Sequence, residues 1–290
     1  MAEPAAPPAP AGPLAGPLTG ALIALAESRE LDVFAGLLER RGARVLRAPL
    51  VDILDARDPG PVLAWLRDFA GGSCDDLVLL TGEGLRRLVA CIQRHDPDLR
   101  EPFLAALGRA RRITRGPKPA RALRELGLAP DLEATIPTTA GIIQALEGLP
   151  LAGRRVGVQL YGEEPNAILV DFLRSRGADV LCVSPYRYAQ ASDDATVREL
   201  LARIAQDAVA AIAFTSAAQV KRLFAAGMDP QAVVAALAHT QVAAVGPVVA
   251  DVLRGHGVRV DAMPGSSWFM KPLATELVRL LAADATPAQE

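Results

Sequence analysis

Aromatic rings, cysteines, histidines and net charge are all scarce in this chain of 290 residues. Aromatics make up 4% of it against 51% hydrophobic residues, so Ala, Val, Leu and Ile must fill the interior. The three cysteines, Cys74, Cys91 and Cys182, are odd in number, far apart and without CxxC spacing, which argues against a disulfide framework and a structural zinc site. His95, His239 and His256 also lack metal-ligand spacing, and His256 is expected near a helix C-terminus, where its charge suits the dipole. Thirty-one basic residues against 33 acidic ones leave a formal charge of −2, so no global field draws the protein to nucleic acid or to an anionic membrane. No apolar run approaches the ~20 residues that cross a bilayer. The sequence has no GxxxxGK[ST], no GxGxxG followed by a suitably spaced acid, and no GxSxG, so phosphate-loop, dinucleotide and serine-hydrolase chemistry find no support, and neither a metal nor a cofactor is expected.

What is present is a repeated α/β pattern on a chain long enough for about two domains. The opening MAEPAAPPAPAGPLAGPL carries six prolines and no basic residue, which fits neither a signal peptide nor a presequence; residues 1–19 are expected to be a disordered tail, 285–290 a second short tail, and the protein cytoplasmic. From Ala21 the segments ALIAL, LDVFAGLLERRG and ARVLRAPL read as strand, helix and strand, and the alternation continues to a last helix near Pro272 to Ala283.

Sliding the chain against itself by about 130 residues exposes a duplication. ITRGPKPARALRELGL (113–128) matches AAVGPVVADVLRGHGV (243–258), pairing Gly116 with Gly246, Pro117 with Pro247 and Arg124 with Arg254. With small gaps LLERRGARVL (37–46) matches FLRSRGADVL (172–181), and VLLTGEGLRRL (78–88) matches IAFTSAAQVKRL (212–223). Ligands of open parallel sheets bind at the carboxyl ends of the strands, so two such sheets facing each other would form a cleft lined by both sets of turns.

Those turns can bind anions. Thr215-Ser216 follows a strand and precedes a helix, which leaves backbone amides pointing outward, although N-capping alone would account for a single turn of this kind. Gly82, Gly116 and Gly246 are placed the same way, the last two followed by a proline that needs no amide hydrogen. Arg109, Arg111, Arg112, Arg115, Lys118, Arg121 and Arg124 lie between Glu101 and Glu125 with no acid among them; Arg115 and Lys118, at the turn, are the ligand candidates, and the rest read as a solvated surface. Tyr161-Gly162 ends the strand RRVGVQL, and Tyr186 and Tyr188 flank Arg187 where the chain should cross between lobes. A phenol there could serve as a weak general acid, or Y-x-Y could be simple linker packing.

Taken in order, ITRGPKPARALRELGL, VGVQLYGEE, RGADVLCVSPYRYA, AIAFTSAAQVKRLF and AAVGPVVADVLRGHGV resemble the uroporphyrinogen-III synthase family over Gly20 to Ala283. The resemblance implies an α/β fold of two similar parallel-sheet lobes joined by a two-stranded linker, one lobe built from 20–49 plus 190–284 and the other from 50–189; a plain tandem duplication would instead cut near Leu151. It implies a cofactor-free enzyme that closes the linear tetrapyrrole hydroxymethylbilane to uroporphyrinogen III, losing water and inverting ring D. Tyr186 matches the family's linker tyrosine and would assist hydroxide departure. Thr81, Gly82, Arg115, Gly116, Lys118, Tyr161, Gly162, Thr215, Ser216, Gly246 and Val248 would contact the substrate's acetates and propionates. Pro119, Val248, Val249 and Gly82 stand where many relatives carry hydroxyls, leaving backbone amides to act. The expected partners are this small polycarboxylate and, transiently, the preceding pathway enzyme, with a monomer as the working form and no added DNA-binding module. A non-catalytic bilobal sensor of tetrapyrroles or other polyanions is the competing class.

Overall fold

The computed structural model describes residues 16–162 and 164–284. The elements run β1 (Leu22–Leu25), α1 (Leu31–Glu39), β2 (Arg44–Arg47), β3 (Val51–Asp55), α2 (Gly60–Ala70), β4 (Asp76–Leu79), α3 (Gly82–His95), a 3-10 turn at Pro97–Leu99, α4 (Arg100–Arg109), β5 (Arg111–Thr114), α5 (Pro117–Arg124), β6 (Leu132–Glu133) and α6 (Thr139–Leu146). They continue with β7 (Arg155–Gln159), α7 (Ala167–Ser175), β8 (Asp179–Val183), β9 (Tyr186–Gln190), α8 (Asp194–Ala205), β10 (Ala211–Phe214), α9 (Ala217–Phe224), α10 (Pro230–Leu237), β11 (Gln241–Ala244), α11 (Pro247–Gly255) and α12 (Met270–Asp284). Two compact units result: a continuous one, Ile53–Ala189, and a discontinuous one from Met1–Asp52 with Gln190–Glu290. The chain changes unit within β3 and within β9, which pair as a two-stranded sheet.

The continuous unit has a five-stranded sheet in the order β6-β5-β4-β7-β8, parallel throughout. The discontinuous unit has a parallel sheet in the order β11-β10-β1-β2. The two orders superpose as β5-β4-β7-β8 on β11-β10-β1-β2, so the duplication seen in the sequence is a duplication of topology. Even the edge repeats: β6 pairs with β5, and an isolated parallel bridge joins Ala243 of β11 to Ala262. Strands β4 and β10 are buried along their whole length, as strands with helices on both faces must be, and their near-continuous apolar runs follow from that.

One face of the continuous sheet is covered by α2 to α5, where Trp65 stacks on Phe69 with ring centroids 5.1 Å apart and Phe69 meets Phe103 at 5.5 Å. Phe34 and Phe214 fill the other unit's interior. A buried phenylalanine supplies about 2–3 kcal/mol by removing its ring from water. Several of the few aromatics are therefore spent on the cores, and Tyr186, 1% exposed, is among the largest fully buried side chains.

The N-terminal tail also needs correction at its inner end. Residues 1–15 lie outside the described residues, as do 285–290, but Leu18 is buried at 1% exposure and its N–H donates to the Arg41 carbonyl at 2.9 Å. A leucine among prolines finds an apolar site, and burying it outweighs the ordering of one turn. His256 does cap a helix C-terminus, that of α11, and stacks on Phe224 at 4.0 Å.

Candidate functional site

At the C-terminal edge of the continuous sheet, Thr81 caps α3, its Oγ1 accepting from the Gly84 N–H at 3.0 Å and lying 3.3 Å from the Tyr186 hydroxyl. The Thr81 N–H donates to Gln159 Oε1 at 3.1 Å, a side chain delivered by the last residue of β7. Burial pushes the Tyr186 phenol well above its ordinary value, with Tyr188 adding to the rise and the Thr81 hydrogen bond opposing it, so Tyr186 keeps its proton at neutral pH. Tyr188 packs edge-on against it, ring centroids 5.6 Å apart. Gly162, at φ 60°, sits where a Cβ would come 2.7 Å from the Tyr188 ring, so only glycine lets the segment after β7 cross there.

The decisive charge is Arg115. Its guanidinium stacks over the Tyr161 ring, 5.1 Å from the centroid. Desolvation lowers its pKa and the neighbouring Tyr161, Tyr186 and Tyr188 oppose that shift, yet an arginine stays cationic at any physiological pH. No carboxylate among the described residues pairs with it. The rest of the basic run divides differently from the expected solvated surface: Arg111 is bidentate on the fully buried Asp76, Arg112 on Asp131, and Arg121 lies 3.6 Å from Glu125. Residues distant in sequence neutralise Arg111 and Arg112, whereas Arg121 stays exposed beside the nearby Glu125, in line with the solvated surface expected for it. Lys118 is exposed in the first turn of α5, whose N-cap is Gly116.

The discontinuous unit builds the same edge with other chemistry. The Thr215 N–H donates to Gln219 Oε1 at 2.7 Å, Ser216 and Gln219 form a capping box on α9, and the Thr215 hydroxyl donates to the buried Glu27. Glu27 Oε1 also accepts the Ser28 and Arg29 N–H groups, both at 3.1 Å. The side chain of Thr215 is thus hydrogen-bonded within its own unit. Gly246 caps α11 under Trp268, whose Cδ1 would lie 2.7 Å from an added Cβ, while Gly116 lies similarly under Pro137 at 2.8 Å. Val248 is half-buried in the first turn of α11. Within their own units the structure brings Thr81, Arg115, Tyr161, Gly162 and Tyr186 together, and separately Thr215 and Ser216.

Gln159, Gln219 and Glu27 were missed. The signal for Gln159 was a polar residue inside the apolar strand run RRVGVQL; Glu27 had none until strand register was known. No cluster of metal-ligating side chains and no helix long and apolar enough to cross a membrane occurs among the described residues.

A family model described as uroporphyrinogen-III synthase HemD matches residues 32–273. The chain belongs to the uroporphyrinogen-III synthase family. It is 30% identical to a uroporphyrinogen III synthase of Thermus thermophilus solved as a mutant selenomethionine derivative, covering 91% of this chain and all of that one with a TM-score of 0.72. A second crystal form of that enzyme, wild type, gives 31% identity, coverage of 92% and 100%, and a TM-score of 0.58. The uncharacterized protein YjjA of Bacillus subtilis is 32% identical over 245 residues, 83% of this chain and 89% of that protein. The family is one of cyclising lyases in tetrapyrrole biosynthesis, and an enzyme is favoured over a binding-only sensor.

Proposed function

We propose that this synthase holds its substrate's carboxylates at the C-terminal edge of the continuous sheet, with Arg115 as the principal cation. The reaction closes hydroxymethylbilane to uroporphyrinogen III with loss of water and inversion of ring D. The observation that carries the assignment is the Arg115 guanidinium, desolvated, stacked on Tyr161 and with no carboxylate partner among the described residues. A half-buried cation with no carboxylate partner among the described residues is partly desolvated, and a substrate bearing an acetate and a propionate on every pyrrole supplies an anion for it.

Loss of hydroxide from hydroxymethylbilane leaves a stabilised azafulvene cation. Attack by the substituted carbon of ring D forms a spiro intermediate, which fragments and recloses inverted. The precursor closes without inversion when unassisted, so the enzyme's task is orientation and modest acid help. Tyr186 is the proposed acid, its high pKa keeping the proton available and the Thr81 hydroxyl in contact with it. Gly116, Lys118, Gly162 and Gly82 would add amides and charge in this unit; Gly246 and Val248 would offer backbone amides in the other, where Thr215 and Ser216, whose N–H groups are held by Gln219 Oε1, would shape the turn beside the substrate. The protein is proposed to work as a monomer in the cytoplasm without a cofactor, meeting the preceding pathway enzyme transiently. Purified protein supplied with fresh hydroxymethylbilane is expected to yield mainly the type III isomer; type I product alone rules the function out.

A further inference from the structure

An asparagine at a helix N-cap ordinarily accepts a hydrogen bond from the first turn of its own helix. Asn166, the N-cap of α7, does not: its backbone is left-handed at φ 47° and ψ 53°, and its side chain makes no cap bond. Instead its Oδ1 accepts from Thr139 Oγ1 at 3.3 Å, the first residue of α6. The amide is thereby oriented with Nδ2 turned from Thr139, and Nδ2 is buried without a hydrogen-bond partner among the described residues, the whole residue being 7% exposed. An unmet buried donor costs about 1–3 kcal/mol, and the left-handed backbone adds a smaller cost, because asparagine tolerates that conformation better than most residues. Two such costs in one residue, at the start of a helix, mark a place kept for binding.

The surroundings fix the chemistry of what binds. Neither α6 nor α7 has an acidic residue in its first turn, and both helices enter from the edge of the sheet that carries Arg115 and Tyr161. The helix N-terminus is the positive end of its dipole, and Ala167 and Ile168, which lead α7, are exposed. We infer that the N-terminus of α7 and Asn166 form a carboxylate subsite, in which Nδ2 and the leading amides of α7 donate to one acetate or propionate of the substrate. Glu164 and Pro165, both exposed, lie just before it. The inference rests on the synthase reading above; Asn166 is a positioning residue for one substituent and takes no part in bond making.

Two variants of the full chain test it. Asn166→Gly suits a left-handed backbone and removes the unmet donor, so its thermal midpoint should equal or exceed the parent's. Its KM for hydroxymethylbilane should rise about tenfold with kcat within about twofold, the value of one hydrogen bond to a charged group. Asn166→Asp places like charge against the carboxylate and should raise KM further, the excess shrinking as salt is added. If both variants fold and keep KM within about twofold of a parent that makes type III product, the subsite is wrong; if Asn166→Asp fails to fold, Asn166→Gly alone decides. A parent making only type I product sinks the function itself, which is a different failure.

Discussion

The two sheets carry the same strand order and end in the same turns, yet their edges have opposite character. Leu79 pairs with Gln159 in one unit and Ala213 with Leu25 in the other. Because Thr81 and Thr215 are equivalent, Gln159 corresponds to Leu25, and two residues further on Tyr161 corresponds to Glu27. The glycine turns likewise align Arg115 with Val245. One copy therefore presents a cation on an aromatic face, and the other an aliphatic residue and a carboxylate consumed by its own hydroxyl and amides. Duplication preserved the scaffold of strand, turn and helix N-terminus, while the residues standing on it diverged in charge. A fold alone would make the two edges equivalent sites; the side chains give one of them an arginine on a tyrosine face and the other a buried carboxylate.

Substitutions that remove this asymmetry should have unequal effects. Arg115→Met takes away this cation while keeping its length, so kcat/KM should fall about a hundredfold, as expected for losing a charged pairing of about 2.7 kcal/mol. Its urea midpoint should stay level or rise, since a desolvated charge is gone. A variant that loses stability in step with activity would make Arg115 structural. In the other unit Glu27→Gln should behave in reverse: stability falls by about 2 kcal/mol because three donors lose a charged acceptor, while kcat/KM of the folded enzyme moves less than about threefold. A larger kinetic loss than stability loss would place Glu27 in the reaction and erase the contrast.

Much of this was legible before any coordinates. The turns at Thr81, Gly116, Thr215 and Gly246 follow from apolar runs ending in N-cap residues, and the repeat at 113–128 and 243–258 marks equivalent strands and helices. Which arginine stays unpaired was not legible, because Arg111 and Arg112 are neutralised by Asp76 and Asp131, partners fixed by strand pairing rather than by spacing. Glu27 was hidden for the same reason: its partner Thr215 lies 188 residues away. Tyr186 was identified by its place in SPYRYAQ, but its burial depends on the ring of Tyr188 and the end of β4, which no local pattern encodes.

The hydroxyl of Tyr186 offers the next test. Tyr186→Phe keeps the ring in its buried seat and loses one 3.3 Å contact to Thr81, so it should fold nearly as well as the parent. Turnover should drop about tenfold or more, the range of general acid assistance. A companion Tyr188→Phe that lowers kcat by more, with Tyr186→Phe unaffected, would move the acid to the neighbouring phenol.

The smallest effect concerns how each unit holds its own end of the crossing strands. In the continuous unit Arg87, on α3, donates to the Ile53 carbonyl at 2.8 Å and to Asp55 at 2.7 Å; in the discontinuous unit Arg222, on the equivalent helix α9, donates to the Ser192 carbonyl at 2.8 Å and to Asp194 at 2.7 Å. The anchors match, and the one at Asp55 is expected to be acid-sensitive. Hydrogen bonding from Arg94 and then Arg87 lowers the Asp55 pKa to about 2. A depressed carboxylate stabilises the folded state fully above its ordinary value near 4 and loses that contribution as pH falls towards 2. Asp55 is partly exposed, so screening reduces the gain to about 1 kcal/mol. Asp55→Asn should therefore lower the urea midpoint at pH 7, and its difference from the parent should close between about pH 4 and pH 2. A difference for Asp55→Asn that stays constant with pH would mean that Arg87 and Arg94 hold the strand through packing and the Ile53 carbonyl rather than through charge.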